Sequence, residues 1–324
     1  MSDKNSTFVI SVTCEDHEEF TRLDQVLASK LEQSRSFLKE LYKKGAITSE
    51  SKIELKKMPP VGTEITINIP EPRESTAKPE DIPLKILFED EHLAIVVKPV
   101  GMVTHPAPGN YTGTLVNAIL HHCKDIQGVG DEKRPGIVHR LDKGTSGVMV
   151  VAKNQKCHEG LVKLFQAHDI DRYYEAISTS TKLNAEGRLE STIGRHPNNR
   201  LKMTTNIRGG KNSITNYKVL KYYDNVTHVQ LKLETGRTHQ IRVHMTHLHY
   251  PLVGDPVYGG RLRLPAGASE EVADAVKNFK RQALHAKKLT LIHPESGKEM
   301  SWEVDLPEDM LYLLAMLKQH DTEE

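Results

Sequence analysis

The chain has 324 residues, of which 37% are hydrophobic and 27% are charged, and its formal net charge is +1. This composition excludes a wholly disordered chain, and the length favours two domains, or one large domain with an attachment. The three cysteines are scattered and odd in number. They exclude a disulfide framework and a cysteine-rich zinc site, and they are typical of a reducing compartment.

No apolar run approaches the ~20 residues that a membrane-spanning helix needs, and the first residues lack the pattern of a signal peptide. We therefore expect a cytoplasmic protein without membrane contact. The near-neutral total hides two basic stretches: residues 30–57 contain eight Lys/Arg against four Asp/Glu, and residues 186–263 contain thirteen against five. Such local bias indicates two contacts with an anionic partner.

The first seventy residues read as a small α/β module. Residues 7–13 alternate as a strand, and two helices follow. Thr21 is the predicted N-cap of the first helix, Ser34 is that of the second, and Gly45 is the expected C-terminal stop. Two short strands are predicted at 53–55 and 65–69.

Residues 70–83 read PEPRESTAKPEDIP, with four prolines, six charges and few apolar side chains. This composition is typical of a stiff, solvated linker. We therefore expect a first domain over 1–70, with its core at about 20–69, a linker over 71–83, and a second domain over 84–324.

The second domain is rich in strands, and many of their connections are too short for crossover helices. We therefore expect an α+β fold with a mostly antiparallel mixed sheet and flanking helices and loops. The predicted strands lie at 84–90, 93–99, 147–153, 173–179, 214–223 and 227–234. The predicted helices lie near 113–122, 155–168, 238–248, 269–281 and 308–319.

Two motifs concentrate the residues that could carry chemistry. The run PGIVHRLDKGTSGVMVVAK (135–153) is a glycine-rich loop that leads into a strand, with Asp142 in the loop. By itself, an aspartate in such a turn most often caps its own backbone. In LETGRTHQIRVH (233–244), Arg237 projects from a turn, where it is either a solvated cation or the partner of a buried carboxylate.

Taken in order, these motifs resemble the RluA/RluD family of RNA pseudouridine synthases. HRLDKGTSG (139–147) resembles the family signature, KPVGMVTHP (98–106) its first motif, and LETGRTHQIRVH its arginine motif. Tyr173–Ala176 and the segments 249–260 and 281–294 match further motifs. Residues 20–69 are similar to the RNA-binding domain named after small-subunit ribosomal protein S-four. The resemblance implies the pseudouridine synthase fold with an N-terminal RNA-binding domain.

The resemblance also implies an activity, the isomerisation of uridine in RNA by one aspartate, here Asp142. The bond from ribose to base nitrogen is broken and the base is rejoined through carbon, which needs no redox or nucleotide cofactor, and no phosphate-binding loop is present. Asp142 would attack the base, attack the sugar, or remove a sugar proton. The three routes stay open at this point.

The resemblance implies roles for further residues. Arg237 would pair with Asp142, Tyr174 would stack on the target base, and Arg140 would fill the space that the flipped uridine leaves. His139 is expected to hold the loop beside the substrate. The remaining residues that the motifs place at the substrate-binding site are Lys98, His105, Gln240 and Arg242.

The predicted second helix of the first domain has a basic outer side. It carries Arg35, Lys39, Lys43 and Lys44, which is a solvated face or, next to an RNA-binding module, a surface for phosphates. His244, His247 and His249 have a spacing that could imitate a metal site, but no acidic or cysteine ligand lies at a motif spacing nearby. We expect no metal.

The favoured hypothesis is a monomeric isomerase that acts on uridines of 23S ribosomal RNA in the large subunit or its precursor particle. Transfer RNA is the alternative substrate, and a non-catalytic ribosomal-RNA-binding assembly factor is the alternative class. The presence of Asp142, Arg237 and Tyr174 together argues against that class. A glycoside hydrolase ranks last, because that chemistry usually needs two carboxylates.

Overall fold

The computed structural model describes residues 6–31, 33, 35–69, 77–106, 109–123, 126, 128–131, 134–179, 183–199, 201–260 and 264–323. The chain divides into two compact units, Met1–Arg73 and Glu74–Glu324. Within the described residues, none of the helices combines the length and the apolar character that a membrane crossing requires. The two units are taken in turn.

The first unit packs three helices on a three-stranded antiparallel sheet. Its elements are β1 (Ser6–Ser11), α1 (Cys14–Glu19), α2 (Leu23–Leu31), α3 (Arg35–Lys43), β2 (Ile47–Thr48) and β3 (Glu64–Ile69). The strand order is β1-β3-β2. Leu23 and Leu27 of α2 and Leu38 of α3 are fully buried against Ile65 and Ile67 of β3. This small core holds the unit together.

Residues 53–55 are not a strand, so that prediction is wrong. Ile53 and Leu55 are buried, but the backbone carbonyl of Ile53 accepts from the Tyr42 hydroxyl and that of Leu55 accepts from the amide of Asp24. Hydrogen bonds to helix residues thus take the place of hydrogen bonds to a neighbouring strand. Thr21 is not the N-cap of α2 either: the helix begins at Leu23, and the Thr21 hydroxyl donates to the Gln25 side chain. Ser34 lies outside the described residues.

Arg35 of α3, predicted to contact RNA, forms an ion pair although its side chain is 49% exposed. Its Nε and Nη2 donate to Asp24 Oδ2 at 3.2 and 3.0 Å, and Arg22 binds the same carboxylate at 2.9 and 2.7 Å. Burial raises the pKa of Asp24, but the hydrogen bonds from Arg22 and Arg35 outweigh burial and bring it below its usual value. Lys39, Lys43 and Lys44 are exposed.

The second unit is built on a large sheet with helices around it. Its strands are β4 (Lys85–Glu89), β5 (Leu93–Lys98), β6 (Gly130–Asp131), β7 (Arg134–Pro135), β8 (Ser146–Ala152), β9 (Ile170–Ser178), β10 (Glu186–Arg195), β11 (Met203–Thr205), β12 (Lys211–Tyr223), β13 (Val226–Leu233), β14 (Leu284–Ile292) and β15 (Glu299–Glu303). Its helices are α4 (Leu115–His122), α5 (Gln155–Ala167), α6 (Gln240–His247), α7 (Glu270–Lys277) and α8 (Glu308–Glu323). All five predicted helices and all six predicted strands of this unit are present.

Ten of these strands form one sheet, in the order β11-β10-β12-β13-β9-β14-β8-β5-β4 with β15 paired to β14. Among the described strands, β8 and β14 pair in parallel and all other pairs are antiparallel. The predicted α+β class with a mostly antiparallel sheet is therefore confirmed.

The parallel strands β8 and β14 pair at the start of β8, where Ser146 and Gly147 lie beside His285 and Ala286. Gly147 has φ +126°, and a Cβ atom there would lie 2.2 Å from the carbonyl oxygen of Ala286 in β14. Only glycine allows this approach. The glycine at the end of the HRLDKGTSG motif thus fixes where the Asp142 loop joins the sheet.

Candidate active site

A cavity of about 640 Å³ lies in the second unit beside the Asp142 loop. The loop contributes His139, Arg140 and Asp142, and β9 contributes Tyr174. The turn before α6 and the helix itself contribute Arg237, Gln240 and Arg242, and His105 completes the set. The structure thus brings together all of the predicted catalytic-domain site residues except Lys98.

Hydrogen bonds to other segments hold the Asp142 loop in place. The amide of Thr145 donates to the carbonyl of Asp142 at 2.9 Å, closing a turn, and Gln282 donates to the Thr145 hydroxyl at 3.0 Å. The Thr104 hydroxyl donates to the carbonyl of Leu141 at 2.9 Å. The carboxylate therefore stands on a loop that is braced on both sides.

Lys98, at the end of β5, is completely buried. Its Nζ donates to the carbonyls of Met102 at 2.7 Å, Pro99 at 2.9 Å and Lys143 at 3.5 Å. Burial lowers the pKa of Lys98 to about 7 against the attraction of Asp142. The structure corrects its prediction as a substrate-binding residue, because its donors all serve the backbone beneath the loop.

His139 supports the loop, as predicted from its place in the motif, although it also lines the cavity. Its Nε2 accepts from the amide of Val150 in β8 at 3.1 Å, and its ring stacks on Phe165 of α5 at 4.8 Å. Burial lowers the pKa of His139 to about 3. A neutral ring is what an accepting nitrogen requires.

Asp142 is held by Arg242 of α6. Arg242 Nη1 donates to Asp142 Oδ2 at 2.8 Å, while its Nε and Nη2 bind both oxygens of Asp255 at 2.7 and 2.9 Å. The Asp255 side chain is completely buried, that of Arg242 is 5% exposed and that of Asp142 is 19% exposed. Burial disfavours the guanidinium cation, but the carboxylates outweigh it and raise the pKa of Arg242.

This geometry corrects the predicted pairing of Asp142 with Arg237. The Nε of Arg237 donates to the carbonyl of Asn212 at 3.0 Å, and its amide donates to Gln240. Arg237 therefore stands half-exposed in the turn, while the buried face of α6 brings Arg242 to the carboxylate.

His239 is a second neighbour of Asp142 that the sequence prediction missed. Its Nε2 lies 3.8 Å from Asp142 Oδ2, and its Nδ1 lies 2.8 Å from the Tyr258 hydroxyl, which accepts from the amide of Met203 at 2.7 Å. The Tyr258 hydroxyl thus links His239 to the backbone of β11. His239 takes a left-handed backbone, φ +56°, and burial lowers its pKa.

The contacts that the described residues make with the Asp142 carboxylate thus go to Oδ2. The Asp142 side chain also lines the cavity. A carboxylate oriented in this way can act as a nucleophile or as a base on a molecule in the cavity.

Gln240 closes the first turn of α6 and has no polar group left for a substrate. Its Oε1 accepts from the Thr235 hydroxyl and from the amide of Arg237, and its Nε2 donates to the carbonyl of Ile214 and to the Thr215 hydroxyl. The predicted substrate contact of Gln240 is therefore replaced by a supporting role.

Tyr174 and Arg172 form one wall of the cavity. Both lie on β9, two residues apart, and both are buried. Burial raises the pKa of Tyr174; the positive charge of Arg172 opposes that rise, and the negative charge of Asp142 adds to it. His105, which also lines the cavity, has a buried Nδ1 without a hydrogen-bond partner among the described residues.

Comparisons with known proteins give this arrangement a family. The family model described as RNA pseudouridylate synthase matches residues 92–247. The chain is 45% identical to ribosomal large subunit pseudouridine synthase D of Pseudomonas aeruginosa over 300 residues, 92% of each chain. The chain belongs to the RNA pseudouridylate synthase family.

Further matches support the same assignment. The synthase is 43% identical to ribosomal large subunit pseudouridine synthase D of Escherichia coli over 312 residues, 95% of this chain and 94% of that one. The solved structure of human RNA pseudouridylate synthase domain containing 4 matches with a TM-score of 0.55 and 26% identity, over 72% of this chain and 92% of that one. The family resemblance predicted from the motifs is confirmed, and the protein is an isomerase that acts on RNA.

Three residues of the synthase that touch the site were missed from sequence, namely Arg172, His239 and Asp255. His239 stands inside the quoted arginine motif, and Asp255 stands inside the segment 249–260, so the motifs contained them without indicating a role. Among the described residues, no group of three or more His, Cys, Asp or Glu is placed to hold a metal ion.

Proposed function

We propose that this synthase converts uridines of large-subunit ribosomal RNA to pseudouridine, with Asp142 as the catalytic group. The relatives named above are ribosomal large subunit enzymes that match over nearly the whole chain. The observation that carries the proposal is the Asp142 carboxylate at the cavity, fixed through one oxygen by Arg242.

The cavity suggests how a uridine is held. Tyr174 would stack on the extruded base from its place in the wall, and Arg140, which is exposed at the cavity, would occupy the position that the base vacates. The half-exposed Arg237 would meet the phosphates beside the flipped nucleotide. These roles agree with the exposure of the side chains: Tyr174 is buried, Arg237 is half-exposed and Arg140 is exposed.

The first unit, in this proposal, is an RNA-binding domain that recruits the substrate. Its exposed lysines Lys39, Lys43 and Lys44 would contact phosphates, and the boundary between the domains would fall in the segment 71–83. The synthase would act as a monomer on the large-subunit RNA or its precursor particle, in the cytoplasm.

The test is replacement of the carboxylate by an amide. Asp142→Asn keeps the shape of the side chain and leaves the Arg242–Asp255 pair intact, so we expect normal melting and RNA affinity but no pseudouridine. Asp171→Asn is the control, since that carboxylate pairs with Lys232 on the surface. Pseudouridine is mapped in large-subunit ribosomal RNA and in transfer RNA after incubation with each protein.

Wild-type turnover by Asp142→Asn would disprove the catalytic role. Modification of transfer RNA alone by the wild-type protein would disprove the ribosomal target while leaving Asp142 in place.

A further inference from the structure

The sequence pattern of β9 isolates Arg172 from the carboxylates beside it. Successive side chains of a strand point to opposite faces of the sheet, so Arg172 and Tyr174 share the cavity face. Asp171 and Glu175 turn to the other face, where they pair with Lys232 at 2.7 Å and with His228 at 2.8 Å. Arg172 is therefore left without a carboxylate from its own strand.

The contacts of the Arg172 guanidinium are few. It lies 5.3 Å from the ring centre of Phe165, and its Nη2 donates to the carbonyl of Glu234 at a long 3.4 Å. Its Nε is buried without a hydrogen-bond partner, and no carboxylate of the described residues lies within ion-pair distance. The Glu234 carboxylate is bound instead by Arg188 and Asn216.

The neighbouring turn leaves space for this guanidinium. A Cβ atom at Gly236 would lie 2.6 Å from Arg172 Nη1, so the guanidinium in its present position packs directly against a residue that has no side chain. Arg172 itself is 7% exposed and lines the cavity. Burying a cation without a counter-ion or a full set of acceptors is unfavourable, which indicates that the substrate supplies the missing acceptor.

We propose that Arg172 contacts the substrate directly, donating to a carbonyl oxygen of the uracil ring and stabilising the negative charge that the ring carries while it is detached from the ribose. The proposal rests on the proposed function, because it takes uridine as the substrate. The burial of Arg172 favours a contact with the base over a contact with a phosphate. Arg140 and Arg237 are the more exposed arginines, where the RNA backbone passes, whereas an extruded base reaches the buried wall that Arg172 shares with Tyr174.

The chemistry of the isomerisation requires such a group. The bond between the anomeric carbon of the ribose and nitrogen 1 of the base breaks, and its electron pair leaves with the base, where it spreads over the two carbonyl oxygens. Carbon 5 of the base then uses an electron pair to bond the anomeric carbon, loses its proton, and nitrogen 1 takes up a proton. No electrons are gained or lost overall, and a donor already in place at a carbonyl oxygen lowers the barrier.

The experiment separates the rate on bound RNA from affinity. Large-subunit ribosomal RNA transcript tritiated at carbon 5 of uridine is mixed with excess protein, and tritium release is followed in a single turnover, while filter binding gives the Kd. We expect Arg172→Met to lose about 100-fold or more in rate with the Kd nearly unchanged, and Arg172→Lys to keep part of the rate. Lys232→Met, which removes a cation from the opposite face, should match wild type.

Chemical rescue distinguishes a contact with the base from support of the fold. In Arg172→Ala, guanidinium chloride at low millimolar concentration should restore part of the rate, whereas methylammonium and sodium chloride should not. Normal turnover by Arg172→Met, or a weakened Kd with an unchanged rate on bound RNA, overturns the proposal. The proposal is also overturned if the rate loss is accompanied by a marked fall in melting temperature and guanidinium does not restore the rate.

The ribosomal target is tested separately, with the wild-type protein. A wild-type protein that releases tritium from transfer RNA alone overturns that target, and the same comparison of Arg172 variants on transfer RNA still decides the role of Arg172.

Discussion

At the scale of single residues, Arg242 links the Asp142 carboxylate to the buried Asp255. The sequence suggested that Asp142 has an arginine partner but placed it in the turn at 237. The signal for Arg242 is that it lies between Ile241 and Val243, which are buried in the same helix. An arginine that is buried on such a helix needs a buried carboxylate, and only the fold shows that Arg242 is buried and that the carboxylate is Asp255.

Removing this arginine should destabilise the second unit strongly. Arg242→Ala leaves Asp255 fully buried and without its ion-pair partner, which lowers the free energy of unfolding by about 3–5 kcal/mol. Activity should be lost as well, because Asp142 loses its hydrogen bond. Urea denaturation at neutral pH, followed by far-ultraviolet circular dichroism, measures the change.

Arg237→Ala is the matched control for that measurement. Its side chain is half-exposed, so we expect a change within about 0.5 kcal/mol. Equal destabilisation by the two variants would contradict the assignment of Arg242 as the residue that holds Asp142.

At the scale of elements, register shifts did not decide which strands were predictable. The strands β4 and β12 were predicted although both have register shifts, whereas β10 pairs regularly with β12 and was missed. The sequence signal of β10 was weak because Leu189 and Ile193 are its only large apolar residues. The opposite error at 53–55 arose because alternating burial there comes from packing against helices. Alternation of apolar and polar residues indicates which side chains are buried. A strand also requires backbone hydrogen bonds to a neighbouring strand.

Helix α6 is fastened to the sheet by a histidine that must stay neutral. His244 lies 2.8 Å from the Thr215 hydroxyl of β12 and 3.0 Å from the Ser191 hydroxyl of β10, and burial lowers its pKa to about 4. Unfolding returns this pKa to about 6.5, so between these values the unfolded state binds the additional proton. The stability that His244 contributes is therefore complete above pH 6.5 and is lost as the pH falls towards 4.

Replacing His244 should flatten the acid side of the stability profile. We expect His244→Gln to reduce the slope of the unfolding free energy by about 1.4 kcal/mol per pH unit, one proton, between pH 4.5 and 6. Urea melts at several pH values measure it, with His247→Gln as the control on the same helix. An unchanged slope would mean that His244 is not buried in its neutral form.

At the scale of the whole molecule, the chain consists of two compact units with separate apolar cores. The composition of residues 70–83 suggested this division. The sequence could not indicate that Arg35 pairs with Asp24, because that pairing depends on how α2 and α3 pack. The other three residues predicted to contact RNA, Lys39, Lys43 and Lys44, are exposed.

Those lysines should set part of the salt dependence of RNA binding. The variant Lys39→Gln/Lys43→Gln/Lys44→Gln should weaken affinity and make the log–log salt slope shallower by about 0.7–0.9 for each phosphate that the protein no longer neutralises. The rate on bound RNA should change less. Arg35→Gln is the matched control, and a deletion of residues 1–73 should weaken affinity at least as much as the triple variant does. Identical slopes for triple variant and wild type would leave the lysines as a solvated surface.

The position of β14 in the middle of the sheet affects how the chain folds during its synthesis. During translation, β8 and β9 leave the ribosome more than a hundred residues ahead of β14, which must later insert between them. Until then, β8 and β9 each have an unpaired edge. Pairing of strands that are so far apart in sequence is slow. Gln282 and Arg281, which brace the Asp142 loop, arrive with the same segment. The Asp142 loop of a nascent chain therefore lacks these hydrogen bonds until β14 has been synthesised and has joined the sheet.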